Sequence, residues 1–187
     1  MPYDNMHNIN WKATAKMGKP FVNIHNTTYS KNVVILLNIE KNSLRLGDEI
    51  IENCIRIASY VASFFTQNGI PFSFYANGFD IENDEIIAIN NGCSLSHYRS
   101  IEIALARLDL AKGNIPFSNF LNDDEIFNNH YAEYIIISNS QKEDVSEPYM
   151  MRKKSGFYMN YISPDYDNET SSKYNIPGIL NWIIPRV

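Results

Sequence analysis

Val33-Val34-Ile35-Leu36-Leu37-Asn38-Ile39 is the stretch on which the fold turns. A strand with one wet face alternates apolar and polar residues, whereas this run is apolar almost without interruption. It therefore predicts a central parallel strand buried on both faces. A parallel neighbour needs a crossover, and the next segment supplies one. From Glu49 to Gln67, Ile50, Cys54, Ile57, Ala58, Val61 and Phe65 recur at helical spacing, with Gly47-Asp48 ahead and Asn68-Gly69 as a left-handed stop. Ile70 to Ala76 reads as the returning strand, entered through Pro71 and left through a turn at Asn77-Gly78. Glu85 to Ile89 reads as a shorter strand added at the edge.

Further outward the alternation continues. His97 to Leu110 places Ile101, Ala104, Leu105 and Leu108 on one helical face, and Lys112-Gly113 ends it. Tyr134 to Ser138 is another continuous apolar strand, and Glu143 to Lys154 is a helix that contains Pro148. Phe157 to Ile162 follows Gly156 as a strand, and Ile179 to Ile184 supplies a last one. Upstream, Asn10 to His25 carries turn signals at Gly18 and Pro20 and a short strand at Phe21-Val22-Asn23-Ile24. Strands alternating with helices predict an α/β fold: a three-layer, mainly parallel, Rossmann-like sheet with right-handed crossovers. Residues 1–30 read as a lead-in segment and residues 31–187 as the domain proper.

Composition bounds the function. With 187 residues, 44% of them hydrophobic, the chain can bury one main core. A formal charge of -5 and a pI near 5.3 argue against a nucleic-acid partner. Cys54 and Cys93 are too few for a disulfide framework and too far apart for a CxxC site, which fits a reducing, cytoplasmic setting. The start Met1-Pro2-Tyr3-Asp4 lacks signal-peptide features, and no run approaches the ~18 apolar residues that cross a bilayer. Phosphate-loop, dinucleotide, HExxH and GxSxG motifs are absent from the sequence.

A collinear set of motifs carries a resemblance. Ile9-Asn10-Trp11-Lys12-Ala13-Thr14-Ala15, the Val34-to-Asn38 strand, and the helix closing on Asn68-Gly69-Ile70-Pro71 come first. Gly92-x-x-x-x-His97 ahead of Ala104-Leu105-Ala106-Arg107-Leu108-Asp109, and then Ile135-Ile136-Ile137-Ser138, complete it. Together they resemble the C-terminal half of bacterial proteins of the "domain of unknown function 58" family, over roughly Ile9 to Pro164. That family is similar to the von Willebrand factor A domain. The resemblance implies a fragment of a longer parent, membrane-tethered only through segments absent from this chain. It also implies a protein partner, a MoxR-type AAA ATPase, for which the chain would act as adaptor.

In open parallel sheets ligands sit beyond the carboxyl ends of the strands, here after Leu37, Asn77 and Ile137. The family's relatives place Asp-x-Ser-x-Ser after the first strand, hard oxygen ligands for Mg²⁺. This chain has Asn38-x-Glu40-x-Asn42 instead. The expectation is therefore a degenerate metal-site edge that binds protein without a cofactor and without catalysis, built from Asn38, Glu40, Asn42, Ser94, Ser96, His97, Ser138 and Ser140. One alternative keeps Mg²⁺ on Glu40 with loop hydroxyls; another is a thiol enzyme centred on Cys93 and His97. A third treats Asn38, Glu40 and Asn42 as a polar capping loop. Trp11 with Lys12, Lys16 and Lys19 forms a small basic-aromatic cluster, read as a packed indole with solvated lysines.

Overall fold

The computed structural model describes residues 32–41, 47–165 and 179–183. Asn42, the 1–30 lead-in and its basic-aromatic cluster lie outside the described residues. In chain order the elements are β1 (Val33–Leu37), α1 (Gly47–Gln67), β2 (Phe72–Phe79), β3 (Ile86–Gly92) and α2 (Leu95–Ala106). They continue with α3 (Phe117–Asn122), β4 (Glu133–Ile137), α4 (Glu143–Lys154), β5 (Tyr158–Asp165) and β6 (Ile179–Ile183).

The six strands among the described residues form one sheet in the order β3-β2-β1-β4-β5-β6. β1 is central: it pairs in parallel with β2 on one side, Leu37 opposite Ala76, and with β4 on the other, Leu37 opposite Ile137. β5 and β6 continue the parallel ladder, and among the described strands only β3 runs antiparallel, against β2. The expected α/β, mainly parallel, Rossmann-like sheet is present.

All five β1 side chains are buried because successive residues feed different cores. Val33, Ile35 and Leu37 meet Ile51, Ile57 and Phe65 of α1 and Ile101 of α2. Val34 and Leu36 meet Phe117 and Leu121 of α3 and Val145 and Tyr149 of α4. An apolar residue at every position is what a strand between two helical layers requires, since a polar side chain on either face would lose its water. The α3–α4 layer leaves the β2–β3 end less covered: Tyr75 and Ile86 are half-buried there and Ala88 is exposed.

Several expected boundaries are corrected. Asn77-Gly78 is not a turn; β2 runs through it to Phe79 and is bridged at Gly78 to Asn114. The glycine is needed for close approach, because a Cβ there would lie 2.5 Å from Ile39 Cδ1. The turn comes later, at Asp84, whose φ of 64° is one that Asp tolerates. The second helix begins at Leu95 and ends at Ala106, not at His97 and Leu110, and the short α3 was not foreseen. Among the described residues no helix is long and apolar enough to cross a membrane.

Candidate functional site

The ladder carries Asn38 and Ser138 just past the carboxyl ends of β1 and β4. Asn38 N–H donates to the Ile137 carbonyl at 2.9 Å, and Ser138 N–H to that of Ile162 at 3.0 Å. Asn38, Asn77 and Ser138 are each fully buried, so each must find protein partners. Asn38 Oδ1 accepts from Glu40 N–H at 2.9 Å and from Asn77 Nδ2 at 3.1 Å. Asn38 Nδ2 donates to Ser138 Oγ at 2.9 Å and reaches Glu40 Oε2 at 3.4 Å. Asn77 accepts from Ile39 N–H at 2.8 Å and donates to the Ile115 carbonyl at 2.9 Å. Ser138 Oγ also accepts from Ser140 N–H at 3.0 Å, and the Ser140 carbonyl accepts from the Tyr161 hydroxyl.

Glu40 has a different task from the one its spacing suggested. Its Oε1 accepts from Phe117 N–H at 2.8 Å, at the start of α3, where the N-cap Pro116 offers no side-chain acceptor. The carboxylate thus satisfies an otherwise orphan helical N–H and faces the positive end of the helix. Among the described residues no buried side-chain nitrogen or oxygen lacks a partner. Beneath this network burial pushes the Cys54 thiol up to about 12, against a lowering backbone hydrogen bond from Asn139. Burial likewise raises the Tyr161 hydroxyl, opposed by its hydrogen bond with Ser138.

These residues do not fit a resident divalent cation. The Glu40 main-chain N–H can only donate, which fixes the Asn38 amide with its oxygen on that side and its NH₂ toward Ser138 and Glu40. Donor hydrogens therefore occupy the place where a carboxylate would offer oxygen, and one Glu40 oxygen is held by α3. Among the described residues no group of three or more His, Cys, Asp or Glu side chains is placed to hold a metal ion.

Beside the network lies an open cleft of about 500 Å³, lined among others by Glu40, Lys41, Leu110, Asn114, Lys142 and Asp144. Lys41 is paired with Asp48 at 2.7 Å. Lys142 and Asp144 begin α4, and Asn114 is brought in by its bridge to Gly78. No protein-family model matches the chain, and no curated protein matches it. Apart from Glu40, sequence reasoning missed the polar cleft residues, Lys41, Asn114, Lys142 and Asp144, because they lie in loops and at a helix start. The one available signal was position: Asn77 follows Ala76, the last residue of β2 paired in parallel with β1, and its side chain joins the same network.

Ser94, Ser96 and His97 do not share this edge, which corrects the expected grouping. β3 is antiparallel, so its last residue, Gly92, pairs with Phe72, the first of β2, at the opposite end of the sheet. There Ser94 caps α2, its Oγ accepting from His97 N–H at 3.1 Å and contacting Ser96 Oγ at 2.7 Å. His97 Nε2 lies 2.9 Å from the Phe72 carbonyl, with its ring edge-on to Phe72. Gly92 leaves room for that ring, since a Cβ would approach it to 2.7 Å. His97 thus ties α2 to β2, while the neighbouring Cys93 is an exposed free thiol.

Proposed function

We propose that this chain is a non-catalytic protein-interaction module of the von Willebrand factor A-like type, with a degenerate metal site, acting as adaptor to a MoxR-type AAA ATPase. Its contact surface is the carboxyl edge above the buried Asn38 and Ser140, where Lys41, Asn114, Lys142 and Asp144 are exposed. The observation that carries the reading is the closed hydrogen-bond network of Asn38, Asn77, Ser138 and Glu40. A network with every polar atom matched is rigid, and it holds the surrounding loops in one arrangement without a metal. Loops held on a rigid sheet are favoured positions for recognition, and the adjoining cleft offers charges of both signs. The exposed thiol and His97 at the far end are compatible with this division, since His97 is engaged in holding α2.

Site-specific photo-cross-linking in the producing cell tests the proposal. A cross-linker at Asn114 or Lys142 is expected to capture a discrete protein partner, and one at Ser96 is not. Capture at Ser96 with none at the carboxyl edge overturns the assignment. A captured protein other than an ATPase overturns the adaptor role alone.

A further inference from the structure

We infer that the β2–β3 end of the sheet is a second docking surface, which takes an extended, basic segment of a partner protein. It lies on a sheet face rather than on the carboxyl edge, so it stands or falls independently of the function proposed above. Three observations converge on it.

The first is incomplete cover. On one face α2 reaches β3, where Ile87 is buried, but on the other Tyr75 and Ile86 are only half-buried and Ala88 is exposed. A groove of about 770 Å³ lies there, with Tyr75, Ile86, Ala88, Phe120 and Ile126 in its walls. An extended segment lying in the groove would cover Tyr75, Ile86 and Ala88. The second is the sheet order: β3 is terminal, and among the described residues no strand pairs with its outer side. A segment added along it would satisfy those main-chain groups and set alternate side chains beside Ile86 and Ala88.

The third observation selects the occupant. The charged residues lining the groove are Asp123, Asp124 and Glu125, all acidic. Asp124 is held by Arg152 at 2.8 Å, and that guanidinium sits over Phe127. Asp123 and Glu125 are exposed and form no ion pair among the described residues. Lysine or arginine side chains, with aliphatic stems and cationic tips, match apolar walls under an acidic rim.

Fluorescence anisotropy with two labelled peptides, one alternating lysine and valine and one alternating glutamate and valine, tests the assignment on the full chain. The lysine peptide is expected to bind, more weakly as salt rises, and the glutamate peptide is not. The double variant Asp123→Asn with Glu125→Gln is expected to weaken binding about fivefold with the thermal midpoint unchanged. Asn at 123 retains the oxygen that accepts from Glu125 N–H at 2.8 Å, so this variant preserves the local turn. Ala88→Arg, which sets a cation in the groove, is expected to abolish binding. Equal binding of both peptides, no binding of either, or full binding by Ala88→Arg overturns the proposal. Binding that emerges only when Lys12, Lys16 and Lys19 are changed to Glu also overturns it, because the groove then belongs to this chain's own basic stretch.

Discussion

Asn38 differs from an aspartate by carrying NH₂ in place of one oxygen, and those hydrogens face Ser138 Oγ at 2.9 Å and Glu40 Oε2 at 3.4 Å. Asn38→Asp removes both donors and sets a second carboxylate beside Glu40 in a buried site. Chemical denaturation at neutral pH is expected to show a loss of about 2–4 kcal/mol. The introduced acid is favoured in its protonated form by burial and by Glu40, so its folded-state pKa is raised. The loss is therefore smallest in acid and grows as pH rises; a loss that shrinks with rising pH counts against the network. The two thiols give a second check. Cys54 is fully buried and Cys93 exposed, so a thiol reagent at mildly alkaline pH is expected to label one cysteine in the folded protein and both after unfolding. Because the folded Cys54 thiol keeps its proton up to about 12 against an ordinary 9.0, its contribution to stability is complete below pH 9.0 and is lost as pH climbs toward 12.

Among the elements, β2 has the tightest constraint on its backbone where Gly78 passes under Ile39. Gly78→Ala is expected to cost about 1–3 kcal/mol in urea unfolding, since Ile39 is buried and has little room to give. Adding Ile39→Val removes the Cδ1 methyl in the way, so the double variant should be less destabilised than the sum of the two; strict additivity would disprove the contact. This position also explains where sequence reading stopped. β1, α1 and β4 were legible because burial on one or both faces imposes its period directly on the residues. Asn77-Gly78 has the composition of a hairpin turn, yet the glycine serves packing between β2 and Ile39, a tertiary demand that local pattern does not carry. The direction of β3 was legible but went unread: the few residues between β2 and β3 are too short for the crossover a parallel neighbour needs, so the turn through Asp84 makes the pair antiparallel. From that one reversal followed the mistaken placing of Ser94, Ser96 and His97 with Asn38. Glu40 was visible as a displaced carboxylate, but its partner, Phe117 N–H, lies 77 residues away at a helix too short to announce itself.

For the molecule as a whole, the described buried polar groups of the carboxyl edge satisfy one another, and the fit described for Asn38 and Glu40 predicts no stabilisation by a cation. Millimolar Mg²⁺ or Mn²⁺ is expected to leave the thermal midpoint unchanged, whereas a concentration-dependent rise would place a cation in the native state and overturn the fit described for Asn38 and Glu40. Asn38→Asp run beside the wild type separates a site lacking only one charge from a site lacking its geometry. The reversal of β3 has one more outcome. It puts Cys93 a whole strand length, ~17 Å for five residues, from the tip of β1. Maleimide coupling through that thiol would fix the protein to a sensor chip by its far pole, in one uniform orientation, with Asn114 and Lys142 turned toward the flowing solution.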